Sequence, residues 1–423
     1  MPSTCSHSER LLNCYRAIRN TTDQIVEPLS PEDCMVQSMD DVSPTRWHLA
    51  HTTWFFETFI LKDRSGYQVF DPQFNFLFNS YYNTIGEQFP RPQRGFISRP
   101  GLDEMRNYRQ YVDQHMHELL QSEEVDESLA RVIDVGLNHE QQHQELILTD
   151  IKHVLACNPT FPIYQDLAMD NVQDSVADHW ISIDDGVYSI GYEGPNFSFD
   201  NESPVHSTFL QPCEVSSRLV RCGEFLEFIE DGGYEKPEYW LSLGWSAVQQ
   251  NRWNAPMYWL QQDNQWKTFT LAGLQAIHPD WPICHVSYFE ADAFARWAGM
   301  RLPTELEWEV AERICSEDND ASMLDEQPFV DVLLANQRAI HPTRSPKGFM
   351  GSVWQWTSSS YTAYPGYRAP EGAIGEYNGK FMCNQYVLRG GSVATSSSHI
   401  RPTYRNFFPA DTRWQFAGLR LAR

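Results

Sequence analysis

The sequence lacks a long apolar segment and a recognisable export signal. No run approaches the roughly 18 consecutive apolar residues that a membrane-spanning helix requires. The N-terminus has no basic stretch followed by an apolar one, so nothing in it is typical of a secretory signal. We therefore expect a cytoplasmic protein that does not associate with a membrane.

Basic residues are also scarce relative to acidic ones. The 423 residues include 32 Lys and Arg against 56 Asp and Glu, which gives a formal net charge of −24. Such a surface repels phosphate backbones and anionic lipid headgroups. Nucleic acid is therefore excluded as an expected partner.

Paired cysteine motifs are absent as well. The nine cysteines are an odd number, lie far apart and form no CxxC pair. This pattern is typical of reduced thiols in a cytosol and not of a disulfide framework.

The chain is longer than one hydrophobic core usually organises, and its two halves differ in pattern. In residues 1–165 apolar side chains recur at helical spacing, which predicts a bundle of about four long helices. Ser-Pro pairs at residues 30–31 and 43–44 are typical of helix starts. Residues 166–178 are acidic and weakly apolar, as in a linker. Residues 179–423 alternate short β-like runs, isolated helices and glycine-rich turns, so the predicted fold class is α+β.

A long segment inside the helical half has no helical period. Residues 70–101 are rich in Phe, Tyr, Asn, Pro and Arg. Long ordered loops of this kind usually carry function. We expect this loop to contribute to a site.

The clearest chemical signal is a pair of histidines four residues apart, His139 and His143, within a predicted helix. Residues at this spacing lie on one helix face and can bind one metal. A third histidine can come from the earlier segment that contains His48 and His51, because bundles build metal sites from facing helices. Imidazole ligands suit iron, zinc, nickel or copper.

The residues alone leave two questions about these histidines open. His48 and His51 are three residues apart on one predicted helix, and either can supply the third ligand. Glu140 follows His139 directly, so the segment also resembles the HExxH helix of zinc proteases. No third protease ligand is evident downstream, which weakens that alternative.

The chain resembles a known family in both of its halves. The N-terminal half is similar to a DinB-type bundle, and the C-terminal half resembles the formylglycine-generating-enzyme, or sulfatase-modifying-factor, fold, which is C-type-lectin-like with much irregular structure. The marks of the second fold are the segments 199–204, 301–309, 351–357, 389–392 and 418–420. Their combination with a histidine-bearing bundle is identified with the sulfoxide synthases of ergothioneine biosynthesis.

The resemblance implies an iron(II) enzyme that uses O2 to join cysteine to N-alpha-trimethylhistidine (hercynine), giving hercynylcysteine sulfoxide. It implies His51, His139 and His143 as the iron ligands and leaves His48 without a role. Gln142 and Asn406 correspond to the residues that contact hercynine. In the loop, Arg91 and Arg94 correspond to residues that hold the carboxylate of the thiol substrate.

The family that the chain resembles has two branches, which use different thiol substrates. The cysteine-using branch takes its proton-donating tyrosine from the bundle loop, where this chain has Tyr81 and Tyr82. Phe407 stands where the actinobacterial branch carries tryptophan, and Phe408 stands where that branch has an aspartate that binds γ-glutamyl-cysteine. Both rings are candidates to face the quaternary ammonium of hercynine. These departures favour free cysteine, with γ-glutamyl-cysteine as the alternative.

Two rival functions belong to other classes. One is a zinc-dependent DinB-like thiol transferase or hydrolase that uses the same three histidines. The other is a lectin-like binding module whose bundle holds a structural metal, which would be a closed site. Formylglycine generation itself is not expected, since Cys284 and Cys383 do not fall in the required context.

Overall fold

A computed structural model of the chain describes residues 7–122, 125–169, 179–317, 327–346 and 348–423. The chain forms two compact units, Met1–Pro159 with Glu371–Tyr377, and Thr160–Pro370 with Asn378–Arg423. The first unit thus takes in a short segment from the part of the sequence assigned to the second domain. Residues 170–178 of the predicted linker lie outside the described residues.

The first unit is the predicted bundle of four long helices. They are α1 (His7–Val26), α2 (Thr45–Phe56), α4 (Leu102–Gln121) and α5 (Glu127–Ala156), with a short α3 (Phe74–Phe78) between α2 and α4. Every residue of α2 is buried, since this helix packs against both α4 and α5. The chain continues from α2 through a π-helical turn at Glu57–Leu61. None of the described helices is long and apolar enough to cross a bilayer.

The helix starts follow local capping chemistry. The carboxylate of Asp126 accepts a hydrogen bond from the Leu129 amide at 2.8 Å, which caps α5. The second Ser-Pro pair does mark a helix start, but Pro44 is the N-cap of α2 and not its first residue, and no side chain caps this helix. The first pair does not begin a long helix, because Ser30 and Asp33 bond to each other's backbone amides and close a single turn. Only a 3₁₀ turn at Asp33–Met35 follows.

The loop at residues 70–101 contains more helix than its sequence indicates. It includes α3 and a 3₁₀ helix at Arg91–Phe96. Phe74 and Phe78 are buried one helical turn apart, and their rings lie 5.0 Å from each other. The five-residue length of α3 is too short for a period to be recognised in the sequence.

The second unit combines short helices with small sheets. Its helices are α6 (Cys222–Glu230), α7 (Ser242–Asn251), α8 (Tyr288–Trp297), α9 (Glu305–Glu317) and α10 (Val330–Ala335). Its strands are β1 (Trp180–Ile183), β2 (Gly186–Ile190), β3 (His206–Leu210), β4 (Cys213–Ser216), β5 (Trp259–Gln262), β6 (Gln265–Thr270), β7 (Gly273–Ala276), β8 (Trp354–Ser360), β9 (Tyr386–Arg389), β10 (Asn406–Phe408) and β11 (Ala417–Gly418).

The largest sheet of the described part of this unit has the strand order β10-β9-β8-β11, in which only the β11–β8 pair is parallel. Trp308, Trp354 and Trp356 are all buried and fill the core beside it. The carboxylate of Glu309 forms a buried ion pair with Arg389 at 2.5 Å. These contacts give the predicted mixed fold with much irregular structure.

Candidate metal centre

Three buried histidines of the first unit converge on one point. Among the described residues, His51, His139 and His143 are the group whose ligand atoms lie within 4.8 Å of one another, as a metal site requires. Nε2 of His51 lies 3.1 Å from Nε2 of His139. Two nitrogens bound at right angles to one metal through bonds of about 2.1 Å are separated by about 3.0 Å. The residues therefore fit a first-row transition metal.

His51 is held in the orientation that such a site needs. Its Nδ1 lies 2.6 Å from the carbonyl oxygen of Phe78 and donates a hydrogen bond to it, because a carbonyl can only accept. Nε2 is then left as a lone-pair donor facing His139. The rings of Trp47 and Trp54 stack on the imidazole at 4.6 and 5.6 Å. The ligand is therefore fixed in both tautomer and plane.

All three imidazoles are kept neutral. Burial lowers the pKa of His51 and of His143 well below the usual value, and neighbouring histidines lower both further. Burial also lowers the pKa of His139 to about 3. In addition, Nδ1 of His139 is buried and has no hydrogen-bond partner among the described residues. Neutral imidazoles present the lone pairs that bind a metal, and three of them leave coordination positions for other ligands.

His48 is not part of this group of three. It is nevertheless buried, with only 2% of its surface exposed. Its Nδ1 lies 2.8 Å from Nδ1 of His143, and its Nε2 lies 3.0 Å from Oδ2 of Asp150. His48 therefore contacts a candidate ligand from behind.

Arg94 packs on the ring of Trp47, the same ring that stacks on His51. Its guanidinium carbon is 3.4 Å from the centre of the Trp47 ring. It donates hydrogen bonds to the hydroxyls of Ser43 and Ser80 at 2.9 and 3.0 Å, and among the described residues it forms no ion pair. Burial lowers the pKa of Arg94 well below its usual value. A buried cation with neutral partners is suited to receive a carboxylate.

The other predicted arginine is in a different environment. Arg91 is exposed and donates to the backbone carbonyl of Asp41 at 2.5 Å. A second buried arginine, Arg46, was missed by the sequence analysis. Its Nη1 donates to the Ser98 carbonyl at 3.1 Å, and its Nη2 has no partner in the described part of the chain. The signal for Arg46 was its position next to Trp47 on a helix that is buried on all sides.

The predicted tyrosine pair lies among aromatic rings one layer away from the histidines. The hydroxyls of Tyr81 and Tyr82 are 3.5 Å apart. Tyr82 is fully buried, and its ring lies 5.8 Å from that of Trp54, which stacks on His51. Burial raises the pKa of both phenols, so both stay protonated at neutral pH.

A third tyrosine, Tyr377, was missed by the sequence analysis. Its ring lies 5.8 Å from the ring of His139, and its hydroxyl donates a short hydrogen bond to Oε1 of Gln142. It belongs to the segment Glu371–Tyr377, which is part of the first unit. Nothing local in the sequence indicated this, because 235 residues separate Tyr377 from Gln142.

Glu376 attaches that segment to the loop of the tyrosine pair. Oε1 of its carboxylate accepts hydrogen bonds from the amide and hydroxyl of Thr84, at 3.0 and 2.6 Å. Oε2 accepts a third from the amide of Asn83 at 3.0 Å. The ring of Tyr81 also lies 6.2 Å from that of Tyr377. The tyrosines are thus joined in one aromatic group beside the histidines.

Glu140, the candidate base of the protease-like alternative, is committed elsewhere. It is fully buried, and its carboxylate accepts hydrogen bonds from Arg19, Arg109 and Thr22 at 2.9, 2.8 and 2.7 Å. Burial by itself would raise its pKa, but the charges of Arg109 and Arg19 lower the pKa to about 2. A carboxylate bound in this way holds the bundle together and cannot serve as a general base.

The remaining predicted residues, Asn406, Phe407 and Phe408, form strand β10 of the second unit. Phe407 stacks on Tyr361 with the ring centres 4.0 Å apart and the planes nearly parallel. Phe408 packs edge-on against Trp414 at 6.2 Å. Asn406 accepts a hydrogen bond from the Phe407 amide at 2.9 Å.

Comparison with known proteins assigns both halves of the chain to families. Residues 165–328 and 347–423 match the sulfatase-modifying factor enzyme 1-like domain. Residues 15–147 match the DinB superfamily. These ranges contain the second unit's sheets and all three converging histidines, respectively.

Several curated proteins are similar to this chain. The hercynine oxygenase of Mycolicibacterium smegmatis is 31% identical over 309 residues, covering 68% of this chain and 70% of that protein. The hercynine oxygenase of Mycobacterium tuberculosis is 35% identical over 244 residues, covering 53% of this chain and 56% of that protein. Ergothioneine biosynthesis protein 1 of Schizosaccharomyces pombe is 26% identical, covering 54% of this chain and 28% of that protein.

Proposed function

The chain belongs to the hercynine oxygenase family of ergothioneine sulfoxide synthases, and from that premise we propose that it joins the sulfur of cysteine to the imidazole ring of hercynine. The proposed reaction consumes one O2 and yields hercynylcysteine sulfoxide and water. The observation that carries the proposal is the convergence of three buried histidines, His51, His139 and His143.

We assign iron(II) to this group of three histidines. Iron bound there would supply the redox chemistry that makes dioxygen reactive toward the thiol and the imidazole. The three histidine side chains would hold the metal, and the stacked Trp47 and Trp54 rings would limit access of water to the His51 side. Zinc fits three imidazoles as well, so a zinc-dependent transferase or hydrolase is the competing assignment.

The substrates are recognised by different kinds of contact. Gln142 lies one residue before His143 and offers an amide to the imidazole of hercynine, while Asn406 offers a second amide from β10. The quaternary ammonium cannot donate a hydrogen bond, so the faces of Phe407 and Phe408 are its proposed partners. The proposed role of Gln142 is supported by its contact with Tyr377, because the Tyr377 hydroxyl donates a hydrogen bond that fixes the Gln142 amide.

The carboxylate of the thiol substrate is assigned to Arg91 and Arg94. Arg94 carries the stronger support, because its buried guanidinium has two hydroxyl partners and no acidic one among the described residues. A substrate carboxylate would provide the missing counter-charge. Arg91 lies on the exposed side of the same 3₁₀ helix.

The proton for sulfoxide formation is assigned to the tyrosine group. Tyr81 and Tyr82 remain our sequence-based candidates, and Tyr377 joins them because its ring contacts that of His139. A phenol held protonated by burial can donate a proton during turnover without being ionised beforehand. Loss of the donor would divert the reaction toward oxygenation of cysteine to its sulfinate.

Free cysteine is proposed over γ-glutamyl-cysteine. By the resemblance, Phe408 stands where the other branch has an aspartate that binds γ-glutamyl-cysteine, and its ring packs against Trp414. A buried polar group left without its partner costs about 1–3 kcal/mol, which corresponds to roughly ten- to hundredfold in discrimination.

The test is product analysis with defined metals and thiols. Protein loaded anaerobically with Fe(II) or with Zn(II) is exposed to air with hercynine and either cysteine or γ-glutamyl-cysteine, and the products are identified by mass spectrometry. We expect hercynylcysteine sulfoxide from the iron protein with cysteine. Product from the zinc protein, or none from the iron protein with either thiol, would contradict the proposal.

A further inference from the structure

A chain of two hydrogen bonds leads away from His143 to a buried carboxylate. His143 contacts His48 through their Nδ1 atoms at 2.8 Å, and Nε2 of His48 contacts Oδ2 of Asp150 at 3.0 Å. His48 and Asp150 are both buried, with 2% and 3% of their surfaces exposed. The same Oδ2 accepts the backbone amide of Ser43 at 2.8 Å, which fixes the carboxylate in place.

The direction of these hydrogen bonds follows from the carboxylate of Asp150, at which the series ends. Oδ2 of Asp150 already accepts the Ser43 amide, so it acts as an acceptor, and Nε2 of His48 carries a proton and donates to it. In a neutral imidazole the other nitrogen then accepts, which means that Nδ1 of His48 receives a hydrogen bond from Nδ1 of His143. The proton of His143 is therefore on Nδ1, and its Nε2 is the nitrogen with a free lone pair.

The other two histidines of the group differ from His143 in what contacts their Nδ1 atoms. The Nδ1 proton of His51 is directed by a backbone carbonyl, that of Phe78, which no substitution removes. For His139, Nδ1 has no partner among the described residues. His143 alone of the three is thus oriented by side chains, and its tautomer depends on which residues occupy positions 48 and 150.

We propose that His48 and Asp150 are positioning residues that hold His143 in the tautomer able to bind the metal. Residues that orient a ligating histidine from behind typically change metal affinity by about 10- to 100-fold when they are replaced. This role rests on the metal site of the proposed function, and it does not depend on which substrates that site uses. It explains why a histidine that is not a ligand is buried beside the three that converge.

Two substitutions at His48 separate positioning from packing. His48→Asn places an amide oxygen near the position of Nδ1 and can still accept the hydrogen bond from His143. His48→Leu has similar bulk and no acceptor. Positioning predicts that the Asn variant binds metal nearly as the unaltered protein does and that the Leu variant binds about 10- to 100-fold more weakly. A packing role predicts the opposite order, because leucine fills the space better.

The measurement is the dissociation constant for Fe(II) and for Co(II), obtained anaerobically by competition with a chromophoric chelator. The visible spectrum of the Co(II) protein reports the ligand set independently of any activity. Asp150→Leu should weaken binding as well, and the double variant with His48→Leu should lose no more than the weaker-binding single variant, since both act through one chain. His399→Leu, a buried histidine of the second unit, is the matched control, and its metal affinity should not change.

The outcomes are distinct. Weaker binding and an altered Co(II) spectrum for His48→Leu, with recovery in His48→Asn, support the proposal, provided that the metal-free variants retain their circular dichroism spectra. Unchanged affinity and spectrum in His48→Leu would overturn it, as would failure of the unaltered protein to bind either metal. If the unaltered protein binds metal but makes no sulfoxide, the proposed function fails while the positioning role stands.

Discussion

Replacing Glu376 by alanine should separate Tyr377 from the histidines without touching any candidate ligand. Its carboxylate accepts three hydrogen bonds, two from Thr84 and one from Asn83. Hydrogen bonds to charged groups contribute about 1.5–3 kcal/mol each, and the half-exposed position of this carboxylate reduces that contribution to nearer 1 kcal/mol. Losing all three costs roughly 2–4 kcal/mol of attachment free energy. That corresponds to roughly a 30- to 700-fold shift toward the detached segment.

The graded variant Glu376→Gln provides the internal comparison. The amide oxygen can replace Oε1 and keep both bonds to Thr84, whereas the amide nitrogen cannot accept from Asn83. The expected loss is therefore about 1 kcal/mol, or roughly fivefold. Turnover and the ratio of sulfoxide to cysteine sulfinate are measured for both variants and for Tyr377→Phe. Turnover and the product ratio should both be highest in the unaltered protein, lower in Glu376→Gln and lowest in Glu376→Ala.

The affinity for Fe(II) serves as the control in this experiment. Since none of the converging histidines contacts Glu376 through the hydrogen bonds described above, the Fe(II) affinity of both variants should equal that of the unaltered protein. If Glu376→Ala retains the full turnover and the full product ratio, Tyr377 has no part in the chemistry. Loss of metal in the same variant would instead show that the segment supports the site as a whole.

Alanine at His51, His139 or His143 should remove iron and sulfoxide formation together, as measured by metal analysis after anaerobic reconstitution; retention of iron by any one variant would remove that residue from the ligand set. Glu140→Gln should lower the free energy of unfolding by about 3–5 kcal/mol in chemical denaturation, because it leaves two buried arginines without a full counter-charge. A protease-like base would show lost activity at unchanged stability. Phe408→Asp should raise kcat/KM for γ-glutamyl-cysteine relative to cysteine by roughly ten- to hundredfold, and an unchanged ratio would argue against the role of that position.

The parts of this architecture that depend on local spacing could be predicted from the sequence. The pair His139 and His143 is set by one helical turn, and the four long helices follow from their apolar period. The choice between His48 and His51 could not be made from the residues alone. Both lie on one face of α2, and only the tertiary structure directs one toward His139 and the other toward Asp150.

Two other features were outside the reach of local pattern. Tyr377 reaches the first unit from a distant part of the chain, so no window of sequence joins it to Gln142. The single turn at Asp33–Met35 follows a proline and a capping serine of the kind that also begin long helices, and the extended backbone at Val36 ends it. Helix geometry could have predicted that Glu140 points away from the histidine group. Adjacent residues on a helix point about 100° apart, and its neighbour His139 faces that group.

We propose that oxygen-dependent bond formation between sulfur and the hercynine ring takes place at the three converging histidines. The most direct measurement follows O2 consumption with an electrode while sulfoxide is quantified by mass spectrometry, using Fe(II)-loaded protein, hercynine and cysteine. We predict one sulfoxide formed per O2 consumed, and neither process in His143→Ala. Oxygen uptake without sulfoxide, or sulfoxide formation that persists in His143→Ala, would contradict the claim.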